Sequence, residues 1–89
     1  MFTTDVCVIV LRAIYQALQN EGGTESIRRM TVSDVGDDEF IIALNNLQKQ
    51  GLIKGTVMIY GGDGPDPIEA IWDEILLTDR GLTKAQGLM

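Results

Sequence analysis

Histidine is missing from this chain altogether, and cysteine occurs once, as Cys7. Without histidine, the commonest general base, the usual catalytic triads and dyads and most zinc sites are excluded. A single cysteine excludes a thiolate metal cage and an internal disulfide, and it fits a reducing cytoplasm, the expected compartment. Long apolar runs are lacking as well. The longest, Val6 to Leu11, is too short to cross a bilayer. No base precedes it, so a secretory leader is not expected. Bases are scarce: seven against thirteen acids, for a formal charge of −6. A non-specific nucleic-acid binder is usually basic, because Lys and Arg replace the counterions around phosphates. DNA contact by this chain therefore requires a local basic patch. The same sign disfavours an anionic membrane surface.

What is present is a chain of 89 residues, 45% apolar, with no low-complexity tract. These values predict an ordered single domain over residues 1–89 with a modest core. The first predicted helix runs from about Thr4 to Asn20. Thr3 or Thr4 can cap it, Asp5 suits its N-terminus, and Gly22-Gly23 stops it. Its polar residues Asp5, Arg12, Gln16 and Gln19 fall on one narrow stripe, and Ile9 intrudes on that stripe. A helix this apolar needs cover on several sides. Either its own domain provides it or a second copy does, and a homodimer is the expectation.

Thr24-Glu25-Ser26 reads as loop or cap. Ile27 to Val32 is compatible with a short helix or a short strand. The next helix is better defined. Asp37 is a natural N-cap, with Phe40 at N3, and Gly51 is a stop. Phe40, Ala43, Leu44 and Leu47 share an inward face with Gly51. Asp38, Ile42, Asn45 and Lys49 form the opposite stripe, flanked by Ile41 and Asn46. Gly55 to Tyr60 reads as a strand, and Gly61 to Pro67 as a turn. Ile68 to Trp72 fits a helix or a strand, while Asp73 to Thr78 is expected as the return strand. Thr78 or Asp79 then caps a last helix to about Gln86.

This order predicts an α+β winged helix: a three-helix helix-turn-helix core with a small antiparallel β wing. Two phrases carry a resemblance, Gln50-Gly51-Leu52-Ile53-Lys54-Gly55 and Leu77-Thr78-Asp79-Arg80-Gly81-Leu82. With the apolar first helix and the wing between them, they make the chain resemble the YjcQ-like winged-helix family, small proteins of bacteria and their phages. The resemblance covers most of the chain. It implies the winged-helix architecture and an association with DNA. The short second helix and the short tail from Thr83 to Met89 depart from the pattern.

As a DNA reader, the third helix offers Asn45 and Asn46 for adenine and Lys49 for guanine or phosphate. Arg28 and Arg29 lie where the second helix would approach a backbone. Against this stand Asp37, Asp38 and Glu39 at the end that docks deepest in a helix-turn-helix complex. One like-charge contact there is worth a few kcal/mol (~4 at 4 Å in surface dielectric) before screening. The simpler reading is that these acids stabilise the helix N-terminus. The wing tip carries Asp63 and Asp66 and no base.

Catalysis and cofactors are not expected. Asp63, Asp66 and Glu69 do not follow a calcium loop, Gly61 to Gly64 lacks the ending of a phosphate loop, and Ser26 and Ser33 have no histidine to activate them. Cys7 reads as a small core residue. Ile9, Ile41, Ile42 and Trp72 are candidate contacts with a protein partner or a second copy, although Trp72 could instead close the core under the wing. Two functions follow. The first is a DNA-associated regulator of bacterial or phage origin using Arg28, Arg29, Asn45, Asn46 and Lys49. The second is an acidic winged-helix module that binds protein or dimerises without binding DNA.

Overall fold

The computed structural model describes residues 6–19 and 23–88. The expected caps at Thr3, Thr4 and Asp5, and Gly22 of the expected stop, lie outside them. Three helices come first: α1 (Val6–Gln19), α2 (Glu25–Thr31) and α3 (Asp37–Lys49). Four short strands follow: β1 (Ile53–Lys54), β2 (Val57–Ile59), β3 (Glu69–Ile71) and β4 (Leu76–Leu77). A last helix, α4 (Asp79–Leu88), closes the chain. The architecture is thus α+β, four helices with two small antiparallel sheets. No helix among the described residues is long and apolar enough to cross a membrane.

α1 is the centre of the core. It packs against α2, α3, α4 and β4. Val10, Leu11, Ala13, Ile14 and Ala17 are buried, and Val6, Cys7, Ile9, Tyr15 and Leu18 are partly buried against the same cluster. Much of the helix's apolar circumference is therefore met from within the chain. Ile9, which the helical wheel placed in the polar stripe, lies against the core because neighbouring helices wrap further round α1 than a single face.

The ambiguous stretch Ile27 to Val32 is largely helix α2, which buries Ile27 and Thr31. The expected N-cap of α3 moves back by one residue. Gly36, extended at φ −70° and ψ 165°, occupies that position, and Asp37 is the first helical residue. Glu39 supplies the capping acceptor, taking a hydrogen bond from the Gly36 N–H at 3.2 Å. Asp37 is then available to a different partner. At the other end, Gly51 takes φ +77°. Its N–H donates to Gln48 O and the Leu52 N–H to Leu47 O, both at 3.0 Å. That is a Schellman closure, and it explains why a glycine must stand there.

The strands make one kinked ribbon in two paired pieces. Ile53 and Lys54 face Leu77 and Leu76. Val57, Met58 and Ile59 face Ile71, Ala70 and Glu69. Between these pieces the outgoing chain has Gly55 and Thr56, while the returning chain has Trp72, Asp73, Glu74 and Ile75. The surplus on the return side folds into a turn at Asp73–Glu74. The expected strand from Asp73 to Thr78 is therefore corrected: only Leu76 and Leu77 pair, and the open stretch Ile68 to Trp72 supplies β3 instead. Ile75 at this kink is buried, and Trp72 meets Phe40 edge-to-face at 5.1 Å between ring centroids.

Gly55 makes the kink sterically feasible. Its φ is +88°, and a Cβ there would stand 2.2 Å from the Glu74 carbonyl oxygen.

Candidate functional site

α2 and α3 meet through Arg28, whose side chain is only 20% exposed. One Nη1 donates to Val35 O at 3.0 Å and to Thr31 Oγ1 at 3.2 Å. Nη2 donates to Asp37 Oδ1 at 2.5 Å, and the guanidinium carbon lies 5.0 Å from the centroid of the Phe40 ring. The charge and most of the donors of Arg28 are thus engaged inside the protein. Of the sequence pair, Arg29 alone is exposed.

The outward stripe of α3 also changes membership. Asn45 is 7% exposed, buried with Ala43, Leu44 and Leu47. Its assignment to an outward base-reading stripe is corrected on that ground: spacing alone sets it opposite the apolar face, but tertiary packing covers that side of the helix at this position. Asn46 and Lys49 remain exposed, as do Asp37, Asp38 and Glu39. The helix therefore presents carboxylates at its leading end and a single base at its trailing end. Gln48 points to the ribbon, its Oε1 accepting from the Thr56 N–H at 3.1 Å and from the Thr56 hydroxyl.

The four candidate partner contacts separate. Ile41 and Trp72 line one open hollow of about 310 Å³ with Arg28, Asp37, Phe40, Glu69 and Ala70. Ile42 lines another, about 260 Å³, with Cys7, Glu39 and Asn46. Ile9 belongs to a third, with Arg12 and Met30. Trp72 closes the core beneath the ribbon through Phe40, and Ile9 and Ile41 also pack on the core.

Sequence reading missed the ribbon's surface. Among the described residues the exposed large apolar side chains are Met30, Val32, Val57, Tyr60, Ile68, Ile71 and Leu76. Five of these seven lie between positions 57 and 76. Val57 and Ile71 sit directly opposite one another across β2 and β3. Alternation explains it: Met58 and Ala70, also opposite, turn inward, and the neighbouring residues turn out. The alternation is visible in sequence, but which phase faces the core depends on the strand register.

Acids accompany these apolar residues. From Gly55 to Leu77 the chain carries Asp63, Asp66, Glu69, Asp73 and Glu74, and no base. All five are exposed. Among the described residues no group of three His, Cys, Asp or Glu side chains could hold a metal ion.

The interaction that anchors the ribbon to the helices is a compact one. The Thr78 hydroxyl donates to Gly51 O at 2.6 Å and accepts from the Gly81 N–H at 3.0 Å. Thr78 thereby caps α4 and holds the turn that leaves α3. Comparison with known proteins finds no family model that matches the chain, and no curated protein or solved structure that matches it.

Proposed function

We propose that this chain is a winged-helix domain serving as a protein-interaction module. The element order of three helices, a β ribbon and a closing helix supports the fold reading, as does the resemblance to YjcQ-like proteins. The observation that carries the function is where apolar exposure and charge fall together. Among the described residues, five of the seven exposed large apolar side chains lie on a ribbon whose charged residues, from Gly55 to Leu77, are all acids. Apolar surface gathered in one place marks contact with another macromolecule. Carboxylates around it disfavour a polyanion as that macromolecule.

A DNA-associated regulator is the second reading. Arg29, Asn46 and Lys49 are exposed and have the chemistry to meet phosphates and base edges. The fold analogy adds to this, as analogy only. Its cost is the loss of Arg28 and Asn45 from the proposed patch.

The experiment sets the two side by side. The tagged chain is isolated from cells after nuclease treatment, and separately titrated with a library of duplex fragments at low salt. The module reading expects a defined protein recovered reciprocally, with no duplex retained. Duplex binding whose affinity falls steeply with salt, with no protein surviving nuclease, would replace it with the regulator.

A further inference from the structure

Within that module reading, we infer that the outer face of the β2–β3 ribbon is the docking surface and that its occupant is a basic amphipathic segment of another protein. The face is built around the Val57–Ile71 pair, which is 55% and 47% exposed. Met58 and Ala70 occupy the opposite face and pack on the core, so the ribbon cannot turn over to hide the pair. Ile59, half-buried, continues the same face toward the tip, while Tyr60 and Ile68, both more than half exposed, share the phase of Met58 and Ala70 beyond the core. Ile68 also lies over the backbone of Gly61 and Gly62, where added Cβ atoms would meet it at 3.2 and 3.0 Å. The tip is therefore filled by its own isoleucine.

Charge complementarity selects the occupant. Glu69 stands on the same face two residues from Ile71. Asp63 and Asp66 lie at the tip, and Asp73 and Glu74 at the kink. No base lies between Lys54 and Arg80. A second copy placed ribbon on ribbon would bring five carboxylates from each side together, in a chain already at −6. DNA and anionic membranes meet the same repulsion. A segment with apolar side chains for Val57 and Ile71, and lysines or arginines for the rim, satisfies both demands.

The test uses the full chain, labelled with ¹⁵N, and a synthetic peptide alternating valine and lysine. Controls are a scrambled peptide of the same composition and the analogue with glutamate for lysine. The expected result is amide shifts concentrated on β2 and β3, with the glutamate analogue silent and the scrambled peptide weaker. Val57→Asn with Ile71→Asn should weaken the peptide about tenfold or more, since two apolar contacts are lost. Both positions are exposed, so an unchanged spectrum elsewhere verifies folding. Glu69→Gln with Asp66→Asn should flatten the salt dependence without moving the melting curve.

Shifts centred on α1 or α3, undiminished binding by the folded double variant, or equal binding of the glutamate analogue would overturn the inference. So would a concentration-dependent dimer that the double variant dissolves, because the occupant would then be a second copy. A captured natural partner that ignores the double variant removes this surface but leaves the module reading standing. Recovery of duplex DNA in place of any protein removes both.

Discussion

Arg28 holds Asp37 across the α2–α3 junction, 2.5 Å from Nη2 to Oδ1, with the arginine 20% exposed and the aspartate 88% exposed. The two ends of this pair are unequal in energy. Solvent screens Asp37, so the ion pair itself contributes little, about 0–1 kcal/mol. Arg28 additionally serves Val35 O, Thr31 and the Phe40 ring. Asp37→Asn should therefore cost under about 1 kcal/mol, and Arg28→Ala about 1–3 kcal/mol. Urea unfolding of both variants checks the ranking. Equal losses would show that the ion pair, and not the buried donors, is what matters.

Two glycines are irreplaceable for different reasons. Gly55 combines φ +88° with the Glu74 carbonyl oxygen lying where a Cβ would project. At Gly81 a Cβ would stand 1.8 Å from Leu52 O. Alanine at either position should lower stability by more than about 2 kcal/mol, since backbone on both sides must move. Gly23, at φ +65°, has nothing within 4 Å of its Cβ position. Gly23→Ala should cost only the local backbone strain, about 1–2 kcal/mol. Thermal melts of the three variants would order them, and a Gly55→Ala protein as stable as the parent would disprove the kink geometry.

Thr78 links three segments through one hydroxyl. Thr78→Ala removes the α4 cap and the bond to Gly51 O, at an expected cost of about 1–2 kcal/mol. Thr78→Ser should restore most of that loss, because the hydroxyl is retained. Hydrogen exchange at Gly81, whose N–H loses its acceptor in the alanine variant, gives a local readout. No change in Gly81 protection would count against the cap.

Asn45 and Asn46 are adjacent in sequence and should behave oppositely. Asn45 is buried, so Asn45→Asp should destabilise the fold by about 1–3 kcal/mol through placing a charge at a covered position. Asn46→Asp, on an exposed side chain, should stay within about 0.5 kcal/mol. Chemical denaturation distinguishes them. If Asn46→Asp proved the costlier change, the rotation of α3 about its own axis would be wrong.

The sequence made the α3 terminus legible because the relevant partners are close along the chain. Gly51 closes onto Gln48, and Leu52 onto Leu47. Phe40, Ala43, Leu44 and Leu47 were likewise readable as the inward face, since they follow helical spacing and all four are buried. Reading failed where two residues could play one part. Gly36 and Asp37 are both good N-caps, and Glu39 settled the choice by reaching back to Gly36. It failed again at Trp72 to Ile75, where the surplus on the returning strand becomes visible only once both registers are known. Helix faces single out Ile9, Ile41 and Ile42 as candidate contacts and tryptophan chemistry singles out Trp72, whereas the exposure of Val57 and Ile71 follows only from the strand register.

Composition and short-range order alone establish which residue types are absent, where α3 stops and which of its sides is apolar. These depend on residue types and on neighbours a few positions away. Which arginine is occupied, which asparagine is covered and which phase of the ribbon meets solvent depend on partners distant in the chain. Arg28 meets Asp37 only after two helices pack, and Val57 meets Ile71 only after the strands choose a register. Those choices belong to the tertiary structure because the energy that selects them, burial of one face against another element, does not exist in any segment by itself.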